Sequence, residues 1–324
     1  MRASHVLVGI LVTASLIFAA VGAAMNDTFY LRLATEALIY AGLALSVDIL
    51  LGYTGLLSLG QALFFGMGAY LSALVLMIVP SFWAAFAATA IVSAIAGLVG
   101  GFIVNRVRGA YYALITFGMA QIAAKVVYNT RALGASDGLI GVPVININLG
   151  IASISSASPA AFFIFVLSLI VIFYVLSAYL LDTPFGRLLI ALRANENRVQ
   201  FLGYRTMTAR LAAYVIAAMI AALSGALYPM LRGFVSPELL FFATSGNAVI
   251  TVVTGGAGTL VGALYGSLLL TLLTLLKSVV GSYTEHHLIV IGLLFMGAVV
   301  FLPKGLMGVV RPAIERMLAR ETKP

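Results

Sequence analysis

The sequence predicts an all-α fold, a polytopic transmembrane helical bundle, from its composition and from its long apolar runs. Apolar residues make up 63% of the 324 residues, charged residues only 9%, and the mean hydropathy is +1.14. Soluble domains average roughly half apolar and about a quarter charged residues, so lipid must surround most of this chain. No polar stretch is long enough for a soluble domain, so we expect one membrane domain over residues 1–324.

The apolar runs predict about ten helical segments, some of them broken. Most runs approach the ~20 residues that cross a ~30 Å hydrocarbon core. The predicted spans are 6–24, 34–51, 55–79, 82–104, 109–129, 160–181, 209–231, 260–277 and 285–302. A shorter run, 244–255, leads into Gly256-Ala257-Gly258 and is too short to cross alone as a straight helix, so a re-entrant or broken helix fits it better.

The first apolar run leaves two alternatives open. Arg2 and His5 precede it, and the small residues of Val21-Gly22-Ala23-Ala24 end it, as in a signal peptide with a cleavage site. The run covers residues 6–24, however, and exceeds the ~7–15 residues of a signal-peptide core. Retention as a membrane span is therefore the favoured alternative.

The basic residues indicate which loops face the cytoplasm. The formal net charge is +8, and thirteen of the eighteen Lys and Arg residues lie in four short segments beside apolar runs. These are Arg2; Arg106 and Arg108; Arg187, Arg193, Arg198, Arg205 and Arg210; and Lys304, Arg311, Arg316, Arg320 and Lys323. Such clustering follows the positive-inside rule and does not indicate nucleic-acid binding. If 244–255 counts as a crossing, both termini are cytoplasmic, including the basic tail 303–324.

Motifs for catalysis or cofactor binding are missing from the sequence. It has no G-x-x-x-x-G-K-[ST] phosphate loop, no cysteine, and no His pair at metal-binding helix spacing, because His286 and His287 are adjacent. We therefore predict that the chain is not an enzyme and has no cofactor.

Asp48 is the only acid well inside a predicted span, and we interpret it as a hydrogen-bonding partner. An ion-coupled secondary transporter, which usually needs buried ionisable groups, is the weaker alternative.

Two segments stand out from the apolar background. Glycines at both ends of Gly52-Tyr53-Thr54-Gly55 predict an unwound helix that lines a cavity. Between Pro184 and Gly203, helical periodicity predicts one amphipathic helix, 184–202, on the cytoplasmic surface. Its apolar face holds Phe185, Leu188, Leu189, Leu192 and Val199, with Glu196 among them and Arg187 and Arg198 opposite. This helix either rests on anionic lipid headgroups or docks onto a cytoplasmic partner, with Glu196 as a specific contact.

At these residues the chain resembles permeases of the branched-chain amino acid ABC importers, specifically the LivM-type subunit. The resemblance lies first in the run Gly52-Tyr53-Thr54-Gly55-Leu56-Leu57-Ser58-Leu59-Gly60-Gln61 and in Thr183-Pro184-Phe185-Gly186-Arg187 through Arg193-Ala194-Asn195-Glu196-Asn197 to Gly203. Stretches at 108–116, 136–143, 255–262 and 301–306 agree in order and spacing. One residue departs from the family pattern: Asp48 stands where the family more often has Asn.

The resemblance implies a type II-like importer permease in a bacterial plasma (inner) membrane, with a sister permease, two cytoplasmic ATPase subunits and an external solute-binding protein. It implies that loop 182–208 is the coupling helix, with Phe185, Gly186, Arg187, Arg193, Glu196, Asn197 and Gly203 in the ATPase contact. It implies that the translocation path includes Gly52, Tyr53, Thr54, Gly55, Ser58 and Gln61. Branched-chain amino acids lead as the solute, while urea, short amides and aromatic acids are alternatives within the family.

Overall fold

Long apolar runs fold as helices here, as a chain in lipid must satisfy its backbone hydrogen bonds internally. The computed structural model describes residues 2–24, 28–148, 153–280, 305–308 and 310–312. The α-helices are α1 Arg2–Ala24, α2 Thr28–Asp48, α3 Gln61–Ile78, α4 Phe82–Val104, α5 Ala110–Asn129, α6 Pro159–Asp182, α7 Pro184–Ala194, α8 Glu196–Phe201, α9 Thr206–Gly225, α10 Tyr228–Arg232, α11 Phe242–Gly255 and α12 Val261–Val280. A π-helix, Ile49–Thr54, continues α2, and 3-10 turns cover Arg131–Leu133 and Pro237–Leu240. The all-α prediction is confirmed.

Six helical stretches within the described ranges are long and apolar enough to cross a membrane. They are Thr28–Thr54, Gln61–Ile78, Phe82–Val104, Ala110–Asn129, Pro159–Asp182 and Thr206–Arg232. Two shorter apolar helical stretches, Val6–Gly22 and Val261–Leu272, belong to α1 and α12. The predicted span 285–302 and most of the tail 303–324 lie outside the described residues. The chain is therefore a multi-pass helical membrane protein.

Close packing of small residues holds the centre of the bundle together. Helix α9 packs against α2, α3 and α4. A Cβ added at Gly68 of α3 would overlap the backbone of Ala222, and one at Gly225 of α9 would overlap the backbone of Phe65. Lipid tails are as apolar as these side chains, so backbone contact and van der Waals packing supply the association between the helices.

Strands join the loop between α5 and α6 to the loop between α10 and α11. Strand β1 (Leu139–Ile140) pairs antiparallel with β4 (Phe234–Val235), so that Leu139 lies opposite Val235. Strands β2 (Asn146–Asn148) and β3 (Ser153–Ser155) form a second antiparallel pair. The indole N–H of Trp83, at the start of α4, donates to the Asn148 carbonyl. The two loops thus form one surface at the same end of the bundle.

Helix α11 is a half-length helix, as the short run 244–255 indicates. Its 14 residues give a length of about 21 Å at 1.5 Å per residue. Near its start, Ser245 Oγ accepts a hydrogen bond from the backbone N–H of Ala62, at the beginning of α3. At its other end the loop 256–260 reaches Asp48. The run folds as a short helix of its own, and its re-entrant or broken path through the membrane stays a prediction.

Two helix breaks differ from the sequence prediction, and the predicted span 34–51 begins earlier, at Thr28. The helix after Asp48 stays wound as the π-helix through Thr54, and the break falls at residues 55–60, so the third span begins at Gln61 and not at 55. A π-turn absorbs an extra residue without ending a helix, and Gly55 ends it in the left-handed conformation at φ 73°. The predicted single helix 184–202 is two helices, because Asn195 is extended between α7 and α8.

Candidate functional site

The π-helix lies against the loop between α11 and α12 at the position of Gly52. A Cβ on Gly52 would overlap the backbone of Gly258 and the carboxylate of Asp48. Only glycine allows this approach, because every other residue would bring a Cβ into the backbone of the facing loop. This close approach places Gly52 and the loop 256–260 near the same two charged side chains, those of Asp48 and Arg193.

Asp48 holds the loop 256–260 in place from the end of α2. Its carboxylate is fully buried and accepts hydrogen bonds from the backbone N–H groups of Gly258, at 2.6 Å, and of Leu260, at 2.8 Å. The hydrogen-bonding interpretation of Asp48 is confirmed. A carboxylate offers two acceptor oxygens to these two donors, whereas Asn at this position would offer one acceptor oxygen and two donor protons.

Arg193 connects the amphipathic segment to the π-helix. It lies in the last turn of α7, and its Nη1 donates to the carbonyl oxygen of Gly52. Its aliphatic stem packs against Gly55, where a Cβ would come within 2.9 Å of the Arg193 Cγ. A Cβ at Gly258 would lie 3.3 Å from the same Nη1. Arg193 thus lies between the π-helix and the loop 256–260, and the structure brings it together with the predicted path residues.

Glu196 is bound within the chain, a geometry that the sequence interpretation did not anticipate. Its carboxylate pairs with Arg210 of α9 at 2.9 Å and with Arg108 at 3.3 Å. The Arg210 side chain is only 4% exposed and also donates to the carbonyl of Val107 at 2.9 Å. The expected position on the apolar face of a continuous helix is therefore wrong, because the helix breaks at Asn195. A part for Glu196 in coupling stays a prediction.

The other predicted coupling residues are spread over both short helices. Phe185 is half-buried, Gly186 packs on the backbone of Leu181, and Arg187 and Asn197 are exposed. Gly203 follows in the left-handed conformation, at φ 84°. Asn195 caps α8 by accepting a hydrogen bond from the N–H of Arg198 at 3.0 Å.

The sequence interpretation missed two exposed apolar residues of this segment. Phe201 is 91% exposed and Leu202 is 70% exposed, beside a surface groove of about 550 Å³ between α7 and α8. Two consecutive large apolar residues directly before Gly203 were the available signal. Residues 182–208 run from the last residue of α6 to the first turn of α9 and include α7, α8, Phe201 and Leu202; we name them the coupling segment after their predicted role.

Hydroxyl groups satisfy the backbone of the non-helical stretch between the π-helix and α3. Thr116 Oγ1 accepts from the N–H of Leu59 at 3.1 Å, and Ser58 Oγ accepts from the N–H of Gly60 at 3.4 Å. Irregular backbone at membrane depth is tolerated where protein surrounds it in this way. Thr116, like Ser245 on α11, is a small polar residue in an apolar run, which was the signal that could have found both.

The predicted path residues lie in or beside this non-helical stretch. Thr54, Ser58 and Gln61 are buried, Tyr53 is half-buried and Gly55 is exposed. Both amide atoms of Gln61 are buried, and neither has a hydrogen-bond partner among the described residues. Over the described residues, no group of three or more His, Asp or Glu side chains could hold a metal ion. The non-helical stretch therefore places buried polar groups among the predicted path residues.

Comparison with known proteins decides the family. The model of the family described as branched-chain amino acid transport system / permease component matches residues 29–299. The chain belongs to this family. It is 30% identical over 307 residues to the high-affinity branched-chain amino acid transport system permease protein LivM of Salmonella typhimurium, and 29% identical to LivM of Escherichia coli. Each alignment covers 87% of this chain and 71% of the relative.

A second kind of permease is also similar to the chain. The high-affinity branched-chain amino acid transport system permease protein LivH of Escherichia coli is 24% identical, over 86% of this chain and 93% of the relative. No solved structure was found to match the chain. The resemblance drawn from the motifs is confirmed, with LivM more similar than LivH.

Proposed function

We propose that this chain is the transmembrane permease subunit of an ATP-binding cassette importer and forms the translocation path for branched-chain amino acids. Family membership over residues 29–299 supports the solute class. The observation that carries the mechanism is the hydrogen bond from Arg193 to Gly52, because it joins the coupling segment to the broken helix of the path. A displacement of α7 would move the π-helix through this contact.

The proposed energy source lies in partner subunits. The importer contains two cytoplasmic ATPase subunits. Docking on the coupling segment of this chain, where Phe201 and Leu202 are exposed, lets their closing and opening shift the permease between two access states. A homologous sister permease completes the path, and an external binding protein delivers the solute. The chain itself hydrolyses no ATP, in keeping with the missing phosphate loop.

The proposed architecture is a single transmembrane domain over residues 1–324. It has about ten membrane segments in a type II-like arrangement, a coupling segment at 182–208, a basic tail at 303–324 and both termini in the cytoplasm of a bacterial cell. The clustered Lys and Arg residues support this orientation.

Single cysteines at Ser136 and Asn197, which are both exposed, test this orientation in the cysteine-free chain. We expect an impermeant thiol reagent to label position 136 in intact cells, and labelling of 197 alone would contradict the orientation.

The geometry of Asp48 favours an ATP-driven permease over an ion-coupled transporter. Both carboxylate oxygens already accept backbone hydrogen bonds, so the acid has a structural task. Urea, short amides and aromatic acids are the alternative solutes, because similar importer permeases would carry them along a similar path.

Reconstitution of the purified chain with and without its partners tests the proposal. The chain alone should hydrolyse no ATP, and the co-purified complex should hydrolyse ATP faster when leucine-loaded binding protein is added. The matched control is a complex whose ATPase subunits carry an inactivated phosphate loop. Sustained ATP hydrolysis by the chain alone, free of contaminating ATPases, would contradict the proposal.

A further inference from the structure

A polar cavity of about 170 Å³ lies beside the π-helix and the loop between α11 and α12. Its lining includes Tyr53 of the π-helix, Tyr174 and Asp182 of α6, Ile190 of α7, Arg311 and the loop residues 258–260. The cavity is smaller than the ~300–1,000 Å³ of sites for drug-sized ligands, so its occupant must be a small metabolite.

The lining combines opposite charges with an apolar wall. Asp182 supplies a carboxylate, Arg311 supplies a guanidinium, and the rings of Tyr53 and Tyr174 with Ile190 supply apolar surface. A carboxylate can bind an ammonium group, and a guanidinium can bind a carboxylate through two hydrogen bonds. Arg311 has interactions of its own within the chain, but its guanidinium carries five N–H donors, enough to bind a carboxylate as well.

The walls of the cavity belong to the elements that the proposed function requires to move. Tyr53 lies next to Gly52, whose carbonyl binds Arg193. The loop 258–260 is held by Asp48, and Asp182 ends α6 directly before α7 begins. An occupant would therefore contact the path, the α11–α12 loop and the start of the coupling segment at once.

We propose that this cavity binds a small zwitterion, an α-amino acid with an aliphatic side chain, from the cytoplasmic side. Its ammonium group faces Asp182, its carboxylate faces Arg311, and its side chain lies against Ile190 and the tyrosine rings. Binding joins the three elements and slows the ATPase cycle, so that accumulated solute limits its own import. This inference rests on the proposed function, because it assigns the cavity to the solute after release.

Binding of radiolabelled leucine to the assembled complex in nanodiscs, without binding protein, tests the inference. We expect saturable binding that Asp182→Asn and Ala178→Phe each weaken by about tenfold or more, because one removes a charged partner and the other fills the cavity. Matched controls are Asp137→Asn in an exposed loop and Val175→Phe on an exposed face of α6, which should bind as the unaltered complex does.

Two further measurements keep the result clear if a variant assembles poorly. Leucinol lacks the carboxylate and 4-methylpentanoate lacks the ammonium group, so neither should displace leucine from the unaltered complex. Leucine should also slow ATP hydrolysis by the unaltered complex but not by the Asp182→Asn complex. Leucine binding that is absent, that either analogue displaces, or that Asp182→Asn and Ala178→Phe leave unchanged would overturn the inference. In that case ATP-driven import by the same complex would still support the proposed function.

Discussion

Three charged side chains, Asp48, Glu196 and Arg210, show at the residue scale how this chain tolerates charge in a largely apolar bundle. Asp48 accepts two backbone N–H groups, and Arg210 binds both Glu196 and the carbonyl of Val107. A buried charge is costly unless it is paired and hydrogen-bonded, so each of these groups depends on its partners. Substitutions should therefore differ sharply according to which charge they leave unpaired.

Removing Glu196 should be much more harmful than removing Arg108. Glu196→Ala leaves the buried Arg210 without its carboxylate, and breaking a buried pair in this way costs about 3–5 kcal/mol. Arg108 is 56% exposed, and an exposed pair contributes only about 0.2–1 kcal/mol. Thermal unfolding in detergent should place Glu196→Ala well below Arg108→Ala. The double variant Glu196→Ala/Arg210→Met should recover part of the loss, and equal unfolding temperatures for the two single variants would refute this assignment.

Asp48 should tolerate Asn better than Ala. Asp48→Ala leaves the N–H groups of Gly258 and Leu260 without acceptors, at about 1–3 kcal/mol for each buried group. Asp48→Asn keeps one acceptor oxygen and should be intermediate in both unfolding temperature and transport. The exposed Asp137→Ala is the control and should behave as the unaltered chain does. An Ala variant as stable as the Asn variant would show that these hydrogen bonds contribute little.

At the scale of elements, glycine has opposite effects in buried and open helix positions. Ala is favoured over Gly by up to about 1 kcal/mol in a helix interior. A Cβ at Gly68 would overlap the backbone of Ala222, and overpacking of this kind costs about 1–3 kcal/mol, whereas a Cβ at Gly118 meets nothing within 4 Å. We therefore expect Gly68→Ala to lower the unfolding temperature and Gly118→Ala to leave it unchanged or raise it. The reverse order would show that α3 and α9 do not pack as closely as the structure indicates.

The contact between α7 and the π-helix should determine how well hydrolysis drives transport. Arg193→Ala removes the hydrogen bond to Gly52 but leaves the exposed surface of the coupling segment intact. We expect the ATPase subunits to co-purify with this variant, while the leucine transported per ATP hydrolysed falls. Arg131→Ala, at an exposed position outside the coupling segment, is the matched control. An unchanged ratio of transport to hydrolysis in Arg193→Ala would argue against this route of coupling.

At the scale of the whole molecule, apolar periodicity predicted the helices well but could not predict where they break. The length of an apolar run indicates a span, yet the π-helix at 49–54 keeps its hydrogen bonds inside the run, so the pattern does not show it. The apolar pattern also did not show the break at Asn195, because the same helical period fits the residues before and after it. Asn195 itself, a favoured helix N-cap, was the available signal.

Contacts between distant parts of the chain were beyond the sequence pattern for a different reason. The pairs Arg193 with Gly52, Asp48 with Gly258 and Arg210 with Glu196 depend on how the helices cross, which one sequence does not specify. The resemblance of the motifs pointed to most of these residues, but it did not indicate which residues they contact. Composition predicted a membrane protein, and motif resemblance predicted the family that the comparison with known proteins then showed.

The dependence of leucine uptake on its energy source tests the central claim most directly. Proteoliposomes should contain this chain with its sister permease and ATPase subunits, with leucine-loaded binding protein on the opposite side from ATP. We predict uptake that requires ATP hydrolysis, stops when the ATPase phosphate loop is inactivated, and persists when proton and sodium gradients are dissipated. Uptake by the chain without its ATPase subunits, driven by such a gradient, would contradict the account.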